Sequence, residues 1–141
     1  MKGFGDQNKF NKKPEKINKT IKLSKEQIYN QAIQFHSKGN ITEAAKYYQY
    51  FINQGFEDYG VFSNYGVILR GLGKLKEAEF CYRKAIKINP NFYKAHFNLG
   101  NVMKDLGKLK EAKFCYLKAI EINSGFADAY TNLGNVFEYI C

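Results

Sequence analysis

The chain has 141 residues, 45% of them hydrophobic and 16% aromatic, which is enough apolar surface for one ordinary packed domain. Its net charge is +9, but Met1–Lys25 holds eight lysines against two carboxylates, so the remaining 116 residues carry only +3. Lysine outnumbers arginine 20 to 2, whereas proteins that recognise nucleic acids rely on arginine. The composition therefore argues against specific nucleic-acid binding by the body of the chain.

Hydropathy and cysteine spacing exclude further classes. No stretch reaches the ~20 apolar residues of a membrane span, and the N-terminus lacks the apolar core of a signal peptide. The three cysteines, Cys81, Cys115 and Cys141, show neither CxxC spacing nor neighbouring histidines, so they make a poor metal site. We expect a cytoplasmic protein with reduced thiols, no metal and no other cofactor.

The N-terminal segment differs from the rest of the chain. Residues 1–23 are rich in Lys and Asn and poor in apolar residues, which predicts a disordered tail. Ser24 followed by Gln27 forms a capping-box pattern, and Ile28, Ala32 and Phe35 then recur at helical spacing. The folded domain is therefore predicted over residues 24–141.

The folded region repeats itself every 34 residues. Residues 59–92 and 93–126 are identical at 19 of 34 positions, including the run LGKLKEA. Such a period is typical of arrays of small helical or strand units that cover one another's apolar faces. The predicted repeats are 25–58, 59–92, 93–126 and a partial repeat, 127–141.

Each full repeat is predicted to form two amphipathic helices joined by a glycine turn. The turn glycines are Gly39, Gly73 and Gly107, and Pro90 ends the second repeat. In the second repeat the two apolar stripes are Phe62, Tyr65, Gly66 and Leu69, then Leu75, Ala78, Tyr82, Ala85 and Ile86. Glycines inside first helices (Gly66, Gly100 and Gly134) cost about 1 kcal/mol relative to alanine, so we expect close helix packing with interdigitated aromatic rings there.

These residues resemble the tetratricopeptide repeat. Its signature positions are matched by Leu99, Gly100, Gly107, Ala112, Tyr116 and Ala119, and by Gly66, Gly73, Ala78, Tyr82, Ala85 and Pro90. The resemblance covers residues 25–141 and implies an all-α fold of antiparallel helix pairs stacked as a right-handed solenoid of about three and a half repeats. The first repeat departs from the pattern, since Gln31-Ala32 replaces Leu-Gly, and Phe51 and Phe56 replace Ala and Pro.

In this family the first helices line a concave groove, and the resemblance implies binding of a peptide or protein partner there. Asparagines recur at corresponding positions of the first helices. Because an amide side chain both donates and accepts hydrogen bonds, such a ladder can pair with a peptide main chain. Duplication of the repeat would also copy these residues without any selection for binding. The candidate groove residues are Asn30, Asn64, Asn98 and Asn132, with Asn101 and Asn135 one turn further on, and Lys94.

Two subtypes of the family bear on the groove. The strings NLGNV and YTNLGNVF are similar to the repeats of O-linked N-acetylglucosamine transferases, which carry an asparagine ladder, although nothing here resembles their catalytic region. The carboxylate clamp of chaperone-binding members would fall on Tyr29, Ile33, Asn64, Lys94 and Asn98, and only Asn64 and Lys94 fit. Binding of chaperone C-termini is therefore disfavoured.

No catalytic constellation is apparent. His36 and His96 occupy different places in their repeats, without a cysteine or carboxylate at catalytic spacing, which indicates structural or surface roles. Gly71–Lys74 superficially resembles a phosphate loop, but Leu75 stands where Ser or Thr is required. We therefore predict a protein that is not an enzyme.

The partial fourth repeat has an apolar last stretch, residues 136–140, from which we expect either a longer natural product or self-association through the C-terminal helix. The favoured function is a non-catalytic protein–protein interaction module that binds its partner in the groove. The first alternative is the N-terminal repeat region of a truncated or split glycosyltransferase- or sulfotransferase-type enzyme. The second is binding of anionic polymers or membrane surfaces through the basic tail.

Overall fold

The computed structural model describes residues 22–140, which form seven helices and no strands. The prediction of an all-α fold built from adjacent helix pairs is thus confirmed. The first helix of each pair begins at residue 25, 59, 93 or 127, where the sequence repeats begin. Residues 1–21 of the predicted tail, and Cys141, lie outside the described residues. The helices are α1 (Lys25–Ser37), α2 (Ile41–Asn53), α3 (Tyr59–Gly71), α4 (Leu75–Ile88), α5 (Tyr93–Asp105), α6 (Leu109–Ile122) and α7 (Ala127–Ile140).

The described residues form two compact units, and the chain passes from the first to the second between Val61 and Phe62. In the first unit α1 packs against α2. The predicted capping box is present: Ser24 Oγ accepts from the Gln27 amide at 3.1 Å, and Gln27 Oε1 accepts from the Ser24 amide at 2.8 Å. Each bond satisfies a donor that the first helical turn leaves unpaired.

Aromatic contacts hold the first unit together where its sequence departs from the repeat pattern. Phe51 is fully buried, and its ring centroid lies 5.4 Å from that of Phe56. Phe35 stacks on Tyr47 at 5.4 Å. Tilted and stacked ring pairs at these distances contribute about 0.5–1.5 kcal/mol beyond the burial of their area. The residues that replace Ala and Pro of the family pattern are therefore part of the core.

In the second unit α4 packs against α5, α5 against α6, and α6 against α7. The predicted first stripe of the second repeat is buried in full, and in the second stripe Leu75 and Ile86 are only half-buried. Corresponding positions of the third repeat show the same burial except at His96, the counterpart of Phe62, which is half-buried. The core includes Phe62, Tyr65, Leu69, Ala78, Tyr82, Ala85, Leu99, Val102, Met103, Ala112, Tyr116, Ala119, Leu133 and Val136.

The turn glycines have the backbone conformation that their position requires. Gly39, Gly73 and Gly107 all have φ of +75°, a region in which side chains other than hydrogen are strained. The amides of Gly73 and Gly107 donate to carbonyls three residues earlier, so each turn closes its first helix.

The helical glycines lie against tyrosine rings. A Cβ at Gly66 would fall 2.8 Å from the Tyr82 ring, and one at Gly100 would fall 2.6 Å from the Tyr116 ring. The predicted close packing is thus confirmed at these two positions, with an aromatic ring as the neighbour. At Gly134 the prediction is wrong, since nothing among the described residues lies within 4 Å of such an atom.

Candidate functional site

Two cavities of the second unit are lined mainly by residues of its first helices, α3, α5 and α7; we call the surface of these helices around the two cavities the first-helix face. The Tyr82 cavity, of about 370 Å³, is lined by Val67, Arg70 and Gly71 of α3, Tyr82 of α4, and Asn98 and Asp105 of α5. The α7 cavity, of about 600 Å³, is lined by Lys104, Leu109, Asn135, Glu138 and Tyr139. Both are open depressions of the surface and not enclosed cavities.

An ion pair joins α3 to α5 in the wall of the Tyr82 cavity. Arg70 Nε donates to Asp105 Oδ2 at 2.7 Å, and the two side chains are 38% and 31% exposed. The hydrogen bond to Asp105 raises the pKa of Arg70, so the guanidinium stays charged. Because the two charges neutralise each other, this cavity offers polar groups without a net charge of one sign.

A closed hydrogen-bond network lies one repeat further along. Tyr116 OH donates to Asn101 Oδ1 at 2.7 Å, and Asn132 Nδ2 donates to the same oxygen at 2.8 Å. Asn101 is only 7% exposed, and burial raises the pKa of Tyr116 to about 12. The amide oxygen thus accepts two bonds, as a buried carbonyl group with two lone pairs can.

The corresponding residues around Tyr82 form no such network. Tyr82, Val67 and Asn98 precede Tyr116, Asn101 and Asn132 by one 34-residue repeat. Tyr82 is 1% exposed, and burial raises the pKa of its hydroxyl. Within residues 22–140, neither this hydroxyl nor the Asn98 side chain has a hydrogen-bond partner.

The predicted groove residues fall into several environments. Asn64 and Asn98 are half-buried on the first-helix face, and Asn135 is exposed beside Lys104 and Glu138. Asn101 and Asn132 are brought together, but their contact is internal to the protein. Three further members line neither cavity: Asn64, on α3 one turn before Val67; Lys94, exposed at the start of α5; and Asn30, exposed on α1 of the first unit.

The groups that might support catalysis are engaged or protonated. Burial raises the pKa of the Cys81 thiol to about 12 and that of Cys115 to about 11, so neither is a thiolate nucleophile at neutral pH. His36 Nδ1 lies 2.9 Å from Tyr48 OH, and His96 Nε2 lies 2.8 Å from the Pro90 carbonyl oxygen. Each histidine ring therefore makes a polar contact within the protein.

Residues 22–140 contain neither a metal-binding cluster of side chains nor a membrane-spanning helix. No group of three or more His, Cys, Asp or Glu side chains in this range could hold a metal ion. None of the helices in the same range is long and apolar enough to cross a membrane.

Sequence reasoning missed four residues that contribute to the Tyr82 cavity: Arg70, Asp105, Val67 and, as a polar group, Tyr82. Tyr82 was interpreted as a core residue, which it is, but its hydroxyl also lines a cavity. The spacing of Arg70 and Asp105, one repeat plus one residue, was an available signal, because helices of successive repeats lie side by side.

Two family models match the middle part of the chain. Family models described as TPR repeat and tetratricopeptide repeat match residues 66–107 and 93–126. No curated protein sequence matches the chain significantly. The matched segments contain the signature glycines, alanines and tyrosines of the second and third repeats, so they support the tetratricopeptide repeat family for this part of the chain.

Solved structures show the same fold over most of the chain. The first TPR domain of Spaghetti (RPAP3) bound to the HSP90 peptide SRMEEVD has a TM-score of 0.75 at 21% identity, covering 80% of this chain and 90% of that one. The Arabidopsis OM64 TPR domain has a TM-score of 0.74 at 18% identity, covering 79% and 93%. YrrB, a TPR protein with an unusual peptide-binding site, has a TM-score of 0.76 at 26% identity, covering 82% of this chain and 60% of that one.

Proposed function

We propose that this protein is a non-catalytic interaction module that binds a peptide or protein segment on its first-helix face. The observation that carries the proposal is that the Asn98 amide and the Tyr82 hydroxyl, which both line the Tyr82 cavity, have no hydrogen-bond partner among the described residues. The half-buried Asn64 amide, one helical turn before Val67 on α3, also has none. Buried or half-buried donors of this kind are stabilised when a ligand supplies their hydrogen bonds.

Structural neighbours support a peptide as the ligand. RPAP3 domains are seen with HSP90 and HSP70 peptides, and YrrB has an unusual peptide-binding site. Both HSP peptides end in EEVD. In this chain the Tyr82 cavity holds Asp105 paired with Arg70, which gives a poor environment for such an acidic terminus. We therefore infer a peptide recognised mainly through neutral hydrogen-bonding groups.

The test begins with selection of peptides from a displayed random library on the purified full-length chain. Affinities of the selected peptides are then measured by fluorescence anisotropy for the wild type and for a variant with Asn64→Ala and Asn98→Ala. Net hydrogen bonds contribute about 0.5–1.5 kcal/mol each, so we expect binding to weaken about tenfold. Asn91→Ala, an exposed asparagine outside the cavities, is the matched control and should bind as wild type does.

Two results would contradict the proposal. One is failure to select any peptide with saturable affinity. The other is selection of peptides whose affinity is the same for the double variant and for Asn91→Ala. The second result would show that the first-helix face of the second unit is not the binding surface.

A further inference from the structure

Tyr82 and Tyr116 are 34 residues apart, so the residues around each of them can be compared position by position. In the later one, the Asn101 amide oxygen accepts bonds from Tyr116 OH at 2.7 Å and Asn132 Nδ2 at 2.8 Å. In the earlier one, the same two donors are present as Tyr82 and Asn98, but the residue between them is Val67. A valine side chain has no acceptor, so both donors lack the oxygen that their counterparts share.

The donors around Val67 are placed to receive an oxygen from outside the protein. Tyr82 is 1% exposed, and its remaining surface lines the Tyr82 cavity together with Asn98 and Val67. The tyrosine ring is fixed, because it packs against Gly66 at a distance that leaves no room for a Cβ. The Tyr82 hydroxyl oxygen remains accessible from the cavity, so a group that enters the cavity can supply the hydrogen bond that residues 22–140 do not.

We propose that Tyr82 OH and Asn98 Nδ2 form a subsite for a neutral carboxamide oxygen of the bound segment, which takes the place held by Asn101 Oδ1 in the next repeat. The subsite rests on the proposed function, since it lies on the same face and specifies the chemistry that is recognised there. Val67, which is 46% exposed, provides an apolar wall for the carbon atoms next to that oxygen.

The charges around the cavity favour a neutral amide over a carboxylate. Arg70 is the only cation among the cavity-lining residues, and its Nε is bound to Asp105 at 2.7 Å. Burial raises the pKa of the Tyr82 hydroxyl although Arg70 acts to lower it, so loss of hydration outweighs the attraction of this cation for an anion. A carboxylate in the subsite would lose its hydration in the same way, and the Arg70–Asp105 pair is neutral overall. A peptide main-chain carbonyl, or the side-chain amide of Asn or Gln, carries no such penalty.

The first experiment needs no ligand. Val67→Asn would supply the missing oxygen from within, and Val67→Leu matches the shape of asparagine without its amide. We expect Val67→Asn to have the higher unfolding temperature of the two. We also expect slower solvent exchange of the Asn98 side-chain amide in Val67→Asn, to the level seen for Asn132. Equal unfolding temperatures and unchanged exchange would overturn the proposal, because the two donors would then not converge on position 67.

The second experiment titrates the full-length ¹⁵N-labelled protein with small probes while the Asn98 side-chain amide signal is followed by NMR. N-methylacetamide represents the peptide main chain, acetamide an Asn or Gln side chain, and acetate a carboxylate. A saturable shift with at least one amide, and at least fivefold weaker binding of acetate, would support the subsite. No saturable shift with either amide means that only water is bound there and overturns it, as does tighter binding of acetate.

The two position-67 variants separate hydrogen bonding from sterics. We expect Val67→Asn to bind the amide probe at least fivefold more weakly than Val67→Leu does, since its own oxygen occupies both donors. Equal affinities in the two variants would overturn the proposal. If library selection yields no peptide but the amide probe binds, the proposed function fails and the subsite stands. If selected peptides bind Val67→Asn and Val67→Leu equally well, the subsite fails and the function stands.

Discussion

Tyr82 and Tyr116 occupy the same place in successive repeats, and the ring of each covers a helical glycine. Around Tyr116 the polar groups satisfy one another, whereas around Tyr82 they face a cavity whose wall contains an interhelical ion pair. The packing contacts are therefore copied from repeat to repeat, while the polar contacts at the edge of the core are not. A single side chain, Val67 or Asn101, decides whether the hydrogen bonds are made internally.

The shared packing is tested by substituting the helical glycines, where we expect the largest effect on stability. Gly134→Ala should stabilise the protein by up to about 1 kcal/mol, because alanine is the better helix former and nothing lies near its Cβ. Gly100→Ala gains the same propensity but places a Cβ 2.6 Å from the Tyr116 ring. We expect it to be less stable than Gly134→Ala by about 1–3 kcal/mol in urea denaturation.

Gly66→Ala should also be less stable than Gly134→Ala, because its Cβ would lie 2.8 Å from the Tyr82 ring. If either variant unfolds at the same urea concentration as Gly134→Ala, the tyrosine rings can move aside more easily than the geometry indicates. The packing of the two repeats would then not be the rigid common element of the comparison.

Cys81 and Cys115 occupy corresponding positions of the second and third repeats, so the reactivity of their thiols can be compared directly. Burial raises the pKa of Cys81 to about 12 and that of Cys115 to about 11, so at a given pH Cys81 has the smaller thiolate fraction. We expect slower alkylation of Cys81 by iodoacetamide at pH 8.5, measured residue by residue with mass spectrometry. The unfolded protein in urea, where both thiols titrate alike, is the control. Faster reaction of Cys81 in the folded protein would contradict the difference.

The same shifts set a direction for stability against pH. The unfolded thiols keep the ordinary pKa of 9.0, below the raised values of the folded protein. Between these values the unfolded state loses its protons first, so stability is complete below about pH 9 and falls as the pH rises toward 11–12. Urea midpoints at pH 7.5, 9 and 10 should decrease in that order. A midpoint that rises over this interval would be inconsistent with the burial of both thiols.

Removing the two tyrosine hydroxyls probes the polar difference directly. Tyr116→Phe deletes the 2.7 Å bond to Asn101 and should cost about 1 kcal/mol. Tyr82→Phe deletes a hydroxyl without a partner among the described residues and should change stability by less than about 0.5 kcal/mol. Both are measured by thermal and urea unfolding of the free protein. A cost for Tyr82→Phe as large as that for Tyr116→Phe would show that the Tyr82 hydroxyl is already bonded.

The ion pair of the Tyr82 cavity should give the smallest effect. Arg70 and Asp105 are about one-third exposed, so solvent screens their attraction. We expect Arg70→Gln to lower the free energy of unfolding by less than about 1 kcal/mol, and this loss should be smaller still in 1 M salt. Arg83, 56% exposed and paired with Glu79 within α4, is the matched control. We expect Arg83→Gln to cost less still. A cost above 2 kcal/mol for Arg70→Gln would indicate a buried network that this geometry does not contain.

Much of the fold was predictable because two kinds of signal in the sequence agree: local residue chemistry and the repetition of the same pattern. The helix starts, the glycine turns and the capping box at Ser24 follow from local residue chemistry, and the repetition shows which of those patterns are structural. The exception is Gly134, where the repeat pattern suggested packing that the structure lacks. Its counterparts pack against a tyrosine in the following helix, and within residues 22–140 there is no helix after α7.

The site was less predictable than the fold. The asparagine ladder was identified from its spacing, but spacing does not show which amides are free. Asn101 and Asn98 look alike in sequence, yet the first accepts two internal bonds and the second lines a cavity. The difference depends on position 67, a valine that reads as an ordinary apolar residue until its counterpart in the next repeat is seen to be an acceptor. Side-chain partners across helices require coordinates.

The three turn glycines at φ of +75° have a consequence for how this molecule can be studied and altered. Because the three turns have the same backbone conformation, each connects the first helix of its repeat to the second helix with the same local geometry. Differences between the second and third repeats can then be assigned to their side chains and not to the backbone. The chain thereby contains its own reference state, in which one repeat serves as the experiment and the next as the control.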